Sequence, residues 1–476
     1  MWMWGFRLRL TVFNNKKNVK KDYPVDIPIF LTFCYFFFTC CDSAIAESHG
    51  DPPISRIAFG SCSNQTAPQI IWNPINEFNP QLFIWLGDNI YGDNKRPFRL
   101  FGKQRTFGPW KNVERFYQSS HHDMQSKFNQ AKTNRDYALL RNRSKVIGTW
   151  DDHDYGLNDA GKEFTAKFTN QKLLLDFLDE PLDSPRRKQA GVYTSYTFGP
   201  VGKQIKVILL DTRYYRDPLS SDGTILGSRQ WKWLEKQLYG QPTAITIIGS
   251  SIQVISNHSA VTSPLSLIEG WGRFPKERKR FFQLIKDSKR DGILFISGDV
   301  HFAEIARYDC ATRYPLYDIT SSGLTQSIEG VVPPSLRFLV RLIARLIPTT
   351  VRVMERNCRY KSCIYGQSNF GVIEVEWKSD PVTLKVEIRD INGSPVISKK
   401  ILLSDIQSKS MKLAATGRRA SHQNHCSLEV DLPWIVRYRL AILVFVAIIS
   451  LSLLALVGMY YLIVICMKCL HKRKCD

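Results

Sequence analysis

The chain has 476 residues, 44% hydrophobic and 23% charged, a globular composition that excludes disorder or a fibrous repeat as the default. Its formal net charge of +22 lies mostly between the termini and favours anionic partners: phosphate compounds, acidic lipid headgroups or sulfated glycans. Nucleic acid is not an expected partner, because both ends direct the bulk of the chain out of the cytosol.

In chain order, a segment with Lys16, Lys17, Lys20 and Lys21 leads into the apolar run 27–41, which precedes Ala44-Ile-Ala46. Basic, apolar and then small residues describe a secretory signal, so 1–46 reads as a signal peptide cleaved after Ala46. Initiation further along the chain and an uncleaved anchor fit the same order. Ile54–Cys62 reads as a strand entering a Gly/Ser loop, and Gln81–Gly87, Lys145–Trp150 and Gly292–Ser297 as buried strands. Helix-like patches cover 113–128 and 134–141. Lys162–Leu178 shows helical spacing of Phe164, Phe168, Leu175 and Leu178. Gly191–Phe198, Gln204–Asp211 and Thr243–Ile255 read as strands, Leu226–Leu238 as a helix capped by a Ser, and Pro275–Ser288 as a helix with Pro in its first turn. Strands alternate with helices, so the class is α/β.

Ser335–Ile347 carries Arg337, Arg341 and Arg345 at i, i+4 and i+8 beside a Leu-rich face. It reads either as an interfacial helix lying on a membrane or as a surface helix with its Leu face on the core. Gly371–Trp377 and Val382–Ile388 alternate with period two and should be antiparallel strands that complete the second sheet. The expected layout is a domain over 47–404, a polar stalk over 405–436, a transmembrane helix over 437–467 and a cytoplasmic tail over 468–476. Leu440–Met467 has no formal charge, and roughly 20 helical residues suffice to cross a bilayer. The basic tail places that end in the cytosol, a single-pass type I arrangement with the domain extracellular or lumenal.

Two features agree with that side of the membrane. Acceptor sequons occur at Asn64, Asn142, Asn257 and Asn392. Five cysteines, Cys62, Cys310, Cys358, Cys363 and Cys426, fall between the apolar ends, an odd number that leaves one thiol over. With Cys62 as the odd one, three pairings of the other four stay open, Cys358 and Cys363 being close in sequence.

The chemistry-bearing residues follow the apolar runs. Asp88 and Tyr91 come after the first; Asp152, His153 and Asn158 after the second; Asp299 and His301 after the third. Strand ends of α/β sheets gather distant groups, and carboxylates, a phenol and imidazoles gathered there suit metal-assisted hydrolysis. The i, i+2 spacing of Asp299 and His301 places both on one side of a strand end. Arg213, Arg216 and Arg273 are candidates for gripping a phosphate, or structural ion pairs.

The set Gly60-Ser-Cys62, Gly87-Asp-Asn-Ile-Tyr91, Trp150-Asp-Asp-His-Asp154 with Asn158, Leu210-Asp-Thr-Arg213, Leu226-Gly-Ser-Arg-Gln-Trp-Lys-Trp-Leu234 and Gly298-Asp-Val-His301 resembles the PhoD-like alkaline phosphatases. They are calcineurin-like metallophosphoesterases related to purple acid phosphatases. The resemblance covers about residues 54–390 and implies a sandwich of two mixed β-sheets flanked by helices. It implies Fe(III) held by Cys62, Asp88, Tyr91 and His301, with Asp88 bridging to a second ion, Ca2+, held by Asp152 and Asp299. It implies His153 as general acid or transition-state stabiliser and attack by a metal-bound hydroxide on a phosphate mono- or diester. One departure is at Ile248–His258, where relatives carry a metal-binding His. Here Gln253 stands where PhoD-like relatives usually show a Gln, and His258, offset and inside a sequon, is left out of the ligand set. The alternatives are a non-catalytic receptor or scaffold on a phosphatase fold, a metallo-esterase acting on another bond, and a phosphodiesterase acting on lipid headgroups.

Overall fold

The computed structural model describes residues 9–11, 22–24, 52–219, 222–266, 268–408 and 425–472. The expected signal run and its cleavage point, half of the expected stalk (409–424) and the end of the expected tail (473–476) lie outside the described residues. In the N-terminal unit, Arg9–Thr11 pairs antiparallel with Asp22–Pro24.

The second unit carries two six-stranded sheets. Its strands are β1 Arg56–Gly60, β2 Leu82–Leu86, β3 Lys145–Thr149, β4 Thr194–Phe198, β5 Ile205–Leu209, β6 Ile245–Ser250, β7 Ile293–Ser297, β8 Ala303–Tyr308, β9 Leu316–Ser321, β10 Asn369–Glu376, β11 Thr383–Asp390 and β12 Pro395–Leu402. The first sheet runs β12-β11-β10-β1-β2-β3 and the second β8-β9-β7-β6-β5-β4. Strands β1, β2 and β3 are mutually parallel, as are β5, β6, β7 and β9. Their carboxyl ends therefore point the same way within each sheet. The expected sandwich of two mixed sheets is present.

Period-two alternation makes the layers. In β2, Leu82, Ile84 and Leu86 join the core between the sheets, with Val207, Leu209, Ile247 and Ile296 of the second sheet. Phe83 and Trp85 point the other way, onto Trp72, Tyr137 and Phe177 of the covering helices. Both faces of β2 are buried, so it reads as an unbroken apolar run.

Local chemistry moved several element boundaries. The helix expected from 113 starts at His121, because Ser120 accepts from the Asp123 amide and ends the preceding extended segment. The 162–178 helix is confined to Lys167–Phe177; Phe164 is buried in the turn before it and Phe168 is exposed. Helix Gly227–Tyr239 is capped by Thr224 Oγ1, which accepts from the Gly227 amide at 2.9 Å, and not by a Ser. Helix Pro275–Ser288 matches its expectation. Strands β10 and β11 extend the first sheet and not the second. The free edge of β1 takes β10 antiparallel, and β11 and β12 follow as a meander.

The C-terminal residues return to this unit. Ile406 is buried, Cys426 is disulfide-bonded to Cys310, and Glu429 is buried. Cys358 pairs with Cys363, and Cys62 stays a free, buried thiol. The described parts of the expected stalk are thus packed on the domain. The helix Arg439–Lys472 follows, and its stretch Arg439–Lys468, with mean hydropathy 3.1, is long and apolar enough to cross a membrane. Beside the apolar helix lies Arg337–Leu346, whose Leu face does not pack on the core, contrary to one of its two expectations.

Candidate metal centre

Four of the seven parallel strands lead into donor residues. β1 delivers Cys62, β2 Asp88, β3 Asp151, Asp152 and His153, and β7 Asp299 and His301. The backbone there is forced. Among the described residues, five of the nine non-glycine positions with positive φ are donors of this centre: Cys62, Asp88, Asp159, Asp299 and His301. Left-handed backbone at branched or bulky positions costs of order 1–3 kcal/mol each and persists where the surroundings impose it, characteristically at sites.

The donor atoms fall into overlapping groups whose members lie within 4.8 Å of one another: Cys62, Asp88 and His301; Asp88, Asp152 and His153; Asp151, Asp152 and Asp299; and Asp152, Asp159 and Glu269. Asp88 is shared by the first two. Cys62 Sγ lies 3.5 Å from Asp88 Oδ2 and 3.1 Å from Ser322 Oγ. Tyr91 Oη is 2.9 Å from His301 Nε2, and the Tyr91 ring stacks against His153 with centroids 4.3 Å apart. Asp299 and His301 do not stay together as their spacing suggests. The left-handed turn at both residues sends Asp299 to the aspartate group and His301 to Cys62.

Uncompensated negative charge dominates the electrostatics. Burial, then the charge of Cys62, pushes Asp88 well above the usual carboxylate range. Burial, then Asp151 and Glu269, does the same to Asp299. Asp151 rises to about 7 by burial, although Arg213 opposes the shift. Burial pushes the Cys62 thiol to about 12 and raises the Tyr91 phenol well above its ordinary value. Asp152 goes the other way, because His153 and Arg213 outweigh its burial. Acids that raise one another in this way are relieved by a bound cation. Asp152 Oδ1 and Asn89 Oδ1 are buried with no hydrogen-bond partner, as a donor atom kept for an ion would be. The residues present fit metal ions: sulfur, phenol, imidazole and carboxylate on one side, carboxylates alone on the other.

His153 faces the opening. Its Nδ1 is 2.8 Å from Asp93 Oδ1, and Asp93 Oδ2 accepts from the Asn158 amide at 3.0 Å. Burial would lower the imidazole, but Asp152 and Asp93 lift it to about 9. His301, desolvated and beside His153, falls to about 4 and stays neutral. A cavity of about 320 Å³ opens over this group, lined by Tyr91, Lys95, Phe116, His153, Asn158 and His301 among others.

The arginines are placed differently from the phosphate-gripping expectation. Arg213 is fully buried, 2.5 Å from both Asp151 and Glu269, and Arg216 pairs with Glu269 at 3.3 Å. Both neutralise the rear of the aspartate group. Arg273 is remote from the cavity and donates to Ser259 Oγ and the Leu219 carbonyl. Gln253 and His258 both engage Glu304 and not the donor groups. Of the sequons, Asn142 and Asn392 are exposed and Asn64 is half-buried at the cavity rim. Asn257 differs from the other three: its side chain is buried and donates to the Gly272 carbonyl at 3.3 Å. Sequence reasoning missed Asp93, Asp151, Asp159, Glu269 and Lys95. Asp151 stands inside a quoted motif and Asp93 two residues beyond another, so both were within reach, whereas Glu269 lies in a loop with no signal.

The profile of the PhoD-like phosphatases matches residues 57–332. Alkaline phosphatase D of Bacillus subtilis (strain 168) is 24% identical over 187 residues, covering 33% of this chain and only 30% of that protein. The solved structure of PhoD aligns with TM-score 0.51 and 16% identity over 74% of this chain and 69% of its own. GAP50, the anchor in the inner membrane complex of Plasmodium, aligns with TM-score 0.44 and 13% identity over 76% and 94%. The profile match takes in more than half of the chain and every donor from Cys62 to His301. With that extent and the shared fold, the chain belongs to the PhoD-like phosphatase family.

Proposed function

We propose that this protein is a metal-dependent phosphoric ester hydrolase, anchored in a membrane by Arg439–Lys468 with its domain on the extracellular or lumenal side. The observation that carries the reading is the convergence of Cys62, Asp88, Tyr91 and His301 beside Asp88, Asp152, Asp299 and His153. Cys62, Asp88, Tyr91 and His301 would hold Fe(III), and Asp88, Asp152 and Asp299 would hold Ca2+, for which carboxylate donors are suited. Such ions, when bound, neutralise charge on the phosphoryl oxygens and activate water near neutral pH.

The chain's own residues do the rest. Asp93 fixes the His153 ring through Nδ1, leaving Nε2 to protonate the departing ester oxygen. Lys95, exposed at the cavity wall 5.4 Å from the Phe116 centroid, attracts the phosphate. Asn158 contributes at the same wall. The substrate is a phosphate mono- or diester; the complete donor set argues against a non-catalytic receptor. The two disulfides support an oxidising compartment and thus the type I orientation, with glycans on Asn142, Asn392 and Asn64.

The test uses the full-length protein in detergent, with metal analysis, a visible spectrum and turnover of soluble mono- and diesters, beside Cys62→Ser and His153→Ala. The expected result is bound iron and calcium, a visible band lost or shifted in Cys62→Ser, and activity lost in both variants. A metal-free protein that hydrolyses neither ester in metal-supplemented buffer overturns the reading.

A further inference from the structure

Helix Arg337–Leu346 is seated with its apolar side outward. Phe338, Leu339, Leu342 and Ile343 are 59%, 40%, 48% and 44% exposed, and no residue of the helix is buried. A polar member of the helix turns inward instead. Arg341 donates to Glu329 Oε2 at 2.8 Å and lies 4.6 Å from the centre of the Tyr360 ring. A helix on a water-facing surface has the opposite orientation. Its inward side is apolar in part: Ala344 touches the small cluster of Val300, Phe302 and Ile364, and Val340, Ile343, Ala344 and Ile347 line a cavity of about 150 Å³ there, while Phe338, Leu339 and Leu342 are left outside.

The neighbouring helix indicates what covers this face. Arg439 Nε donates to the Leu346 carbonyl, so the end of the surface helix abuts the first turn of the apolar helix Arg439–Lys472. That first turn is itself fixed to the domain. Arg437 Nε donates to the Ala260 carbonyl at 3.0 Å, Leu440 and Ala441 are buried, and the Cys310–Cys426 disulfide holds the lead-in. No free spacer separates domain from membrane helix over residues 425–439. Trp434 and Ile435 are exposed at the same junction, and Trp is enriched where membrane meets water.

We propose that Arg337–Leu346 is an interfacial helix. Its Phe338, Leu339, Leu342 and Ile343 face enters the leaflet that Arg439–Lys468 enters, with the exposed Arg345 at the level of the phosphate headgroups. This rests on the membrane reading of Arg439–Lys468. The domain is then held at two points, with its metal centre one loop from the lipid. In that loop, Thr325 and Gln326 donate to the Cys62 carbonyl at 3.1 and 3.0 Å, Ile328 donates to the His301 carbonyl at 2.8 Å, and Glu329 pairs with Arg341.

The full-length protein is reconstituted into phosphatidylcholine vesicles containing a phosphatidylcholine with a diazirine in its acyl chain. After irradiation, labelled peptides are mapped by mass spectrometry. The wild type should carry lipid adducts on peptides spanning 337–346 and 439–468. In the doubly substituted Leu339→Glu, Leu342→Glu protein, adducts on 337–346 should fall to background while those on 439–468 persist, with the melting curve unchanged. Adducts on 439–468 alone, including the case where 337–346 joins a second protein chain, overturn the proposal and leave the anchor intact. Adducts on neither peptide overturn the anchor, and the proposal with it.

Discussion

Asp93→Asn is the sharpest single test of the site. Asp93 Oδ1 lies 2.8 Å from His153 Nδ1 while its Oδ2 accepts from the Asn158 amide at 3.0 Å, and both side chains are buried. An asparagine can satisfy only one of these two donors. With its oxygen toward His153, its NH2 faces the Asn158 N–H; reversed, its NH2 faces Nδ1 and demands the other tautomer. A lost hydrogen bond to a charged group costs about 1.5–3 kcal/mol. If the loss is felt in the transition state, kcat falls about 10- to 100-fold. The change also has a pH signature. Desolvation lowers His153, but Asp152 and Asp93 raise it to about 9, so the protonated donor form persists into the alkaline range. Without the Asp93 carboxylate that pKa drops, and the alkaline limb of kcat must move to lower pH. The assay is kcat against pH on a soluble phosphomonoester, with bound metal and the melting curve as controls. An unchanged kcat, or a uniform fall with the alkaline limb unmoved, refutes the assignment of Asp93 as the residue that positions His153.

Glu304 is fully buried and accepts from His258, Arg352, Gln253 and Ser256 at 2.7–2.9 Å, so Glu304→Gln should destabilise the domain by about 3–5 kcal/mol in urea unfolding. Burial would raise Glu304, but His258 and Arg352 hold it well below its ordinary 4.5. Its contribution is therefore fully present above pH 4.5 and lost as pH falls through the folded value, and the gap between wild type and variant should narrow below pH 4.5. Gly87→Ala should abolish metal binding, measured by metal analysis. At φ +96° the added Cβ would lie 2.4 Å from Asp151 Cβ, at the turn that carries Asp88. Lys206 is lowered to about 8 by burial and then by Arg290, while its Nζ still donates to the Gln237 carbonyl at 3.1 Å, so Lys206→Met should stabilise at pH 7 by no more than about 1 kcal/mol, and the gain should shrink as pH rises from 8 to 10.5. A melting temperature that falls in Lys206→Met would refute that assignment.

What the sequence determined by itself was whatever depends on neighbours along the chain. Period-two and unbroken apolar runs marked β1, β2, β3, β5 and β7, since strand burial repeats within a few residues. Donors at strand ends were legible because a parallel sheet must align those ends, which is why Asp88, His153 and His301 could be grouped without coordinates, whereas Cys62 entered through the family resemblance. The uncharged 28 residues from Leu440 to Met467 identified the apolar helix by length alone. Tertiary structure alone decided how charges and faces are matched across space. Arg213 and Arg216 could have gripped a phosphate, but their partners Asp151 and Glu269 come from other loops, and a buried guanidinium goes where buried carboxylates are. Asn257 satisfies its sequon, yet the close approach of Gly272 buries it. Strands β10 and β11 could have joined either sheet, and the vacant edge of β1 took them. The helix Arg337–Leu346 has the same amphipathic pattern whichever way it faces. Glu329 inside and the apolar helix beside it decided that its leucines point outward, because direction on a surface is fixed by what lies next to it in space and not by its own period.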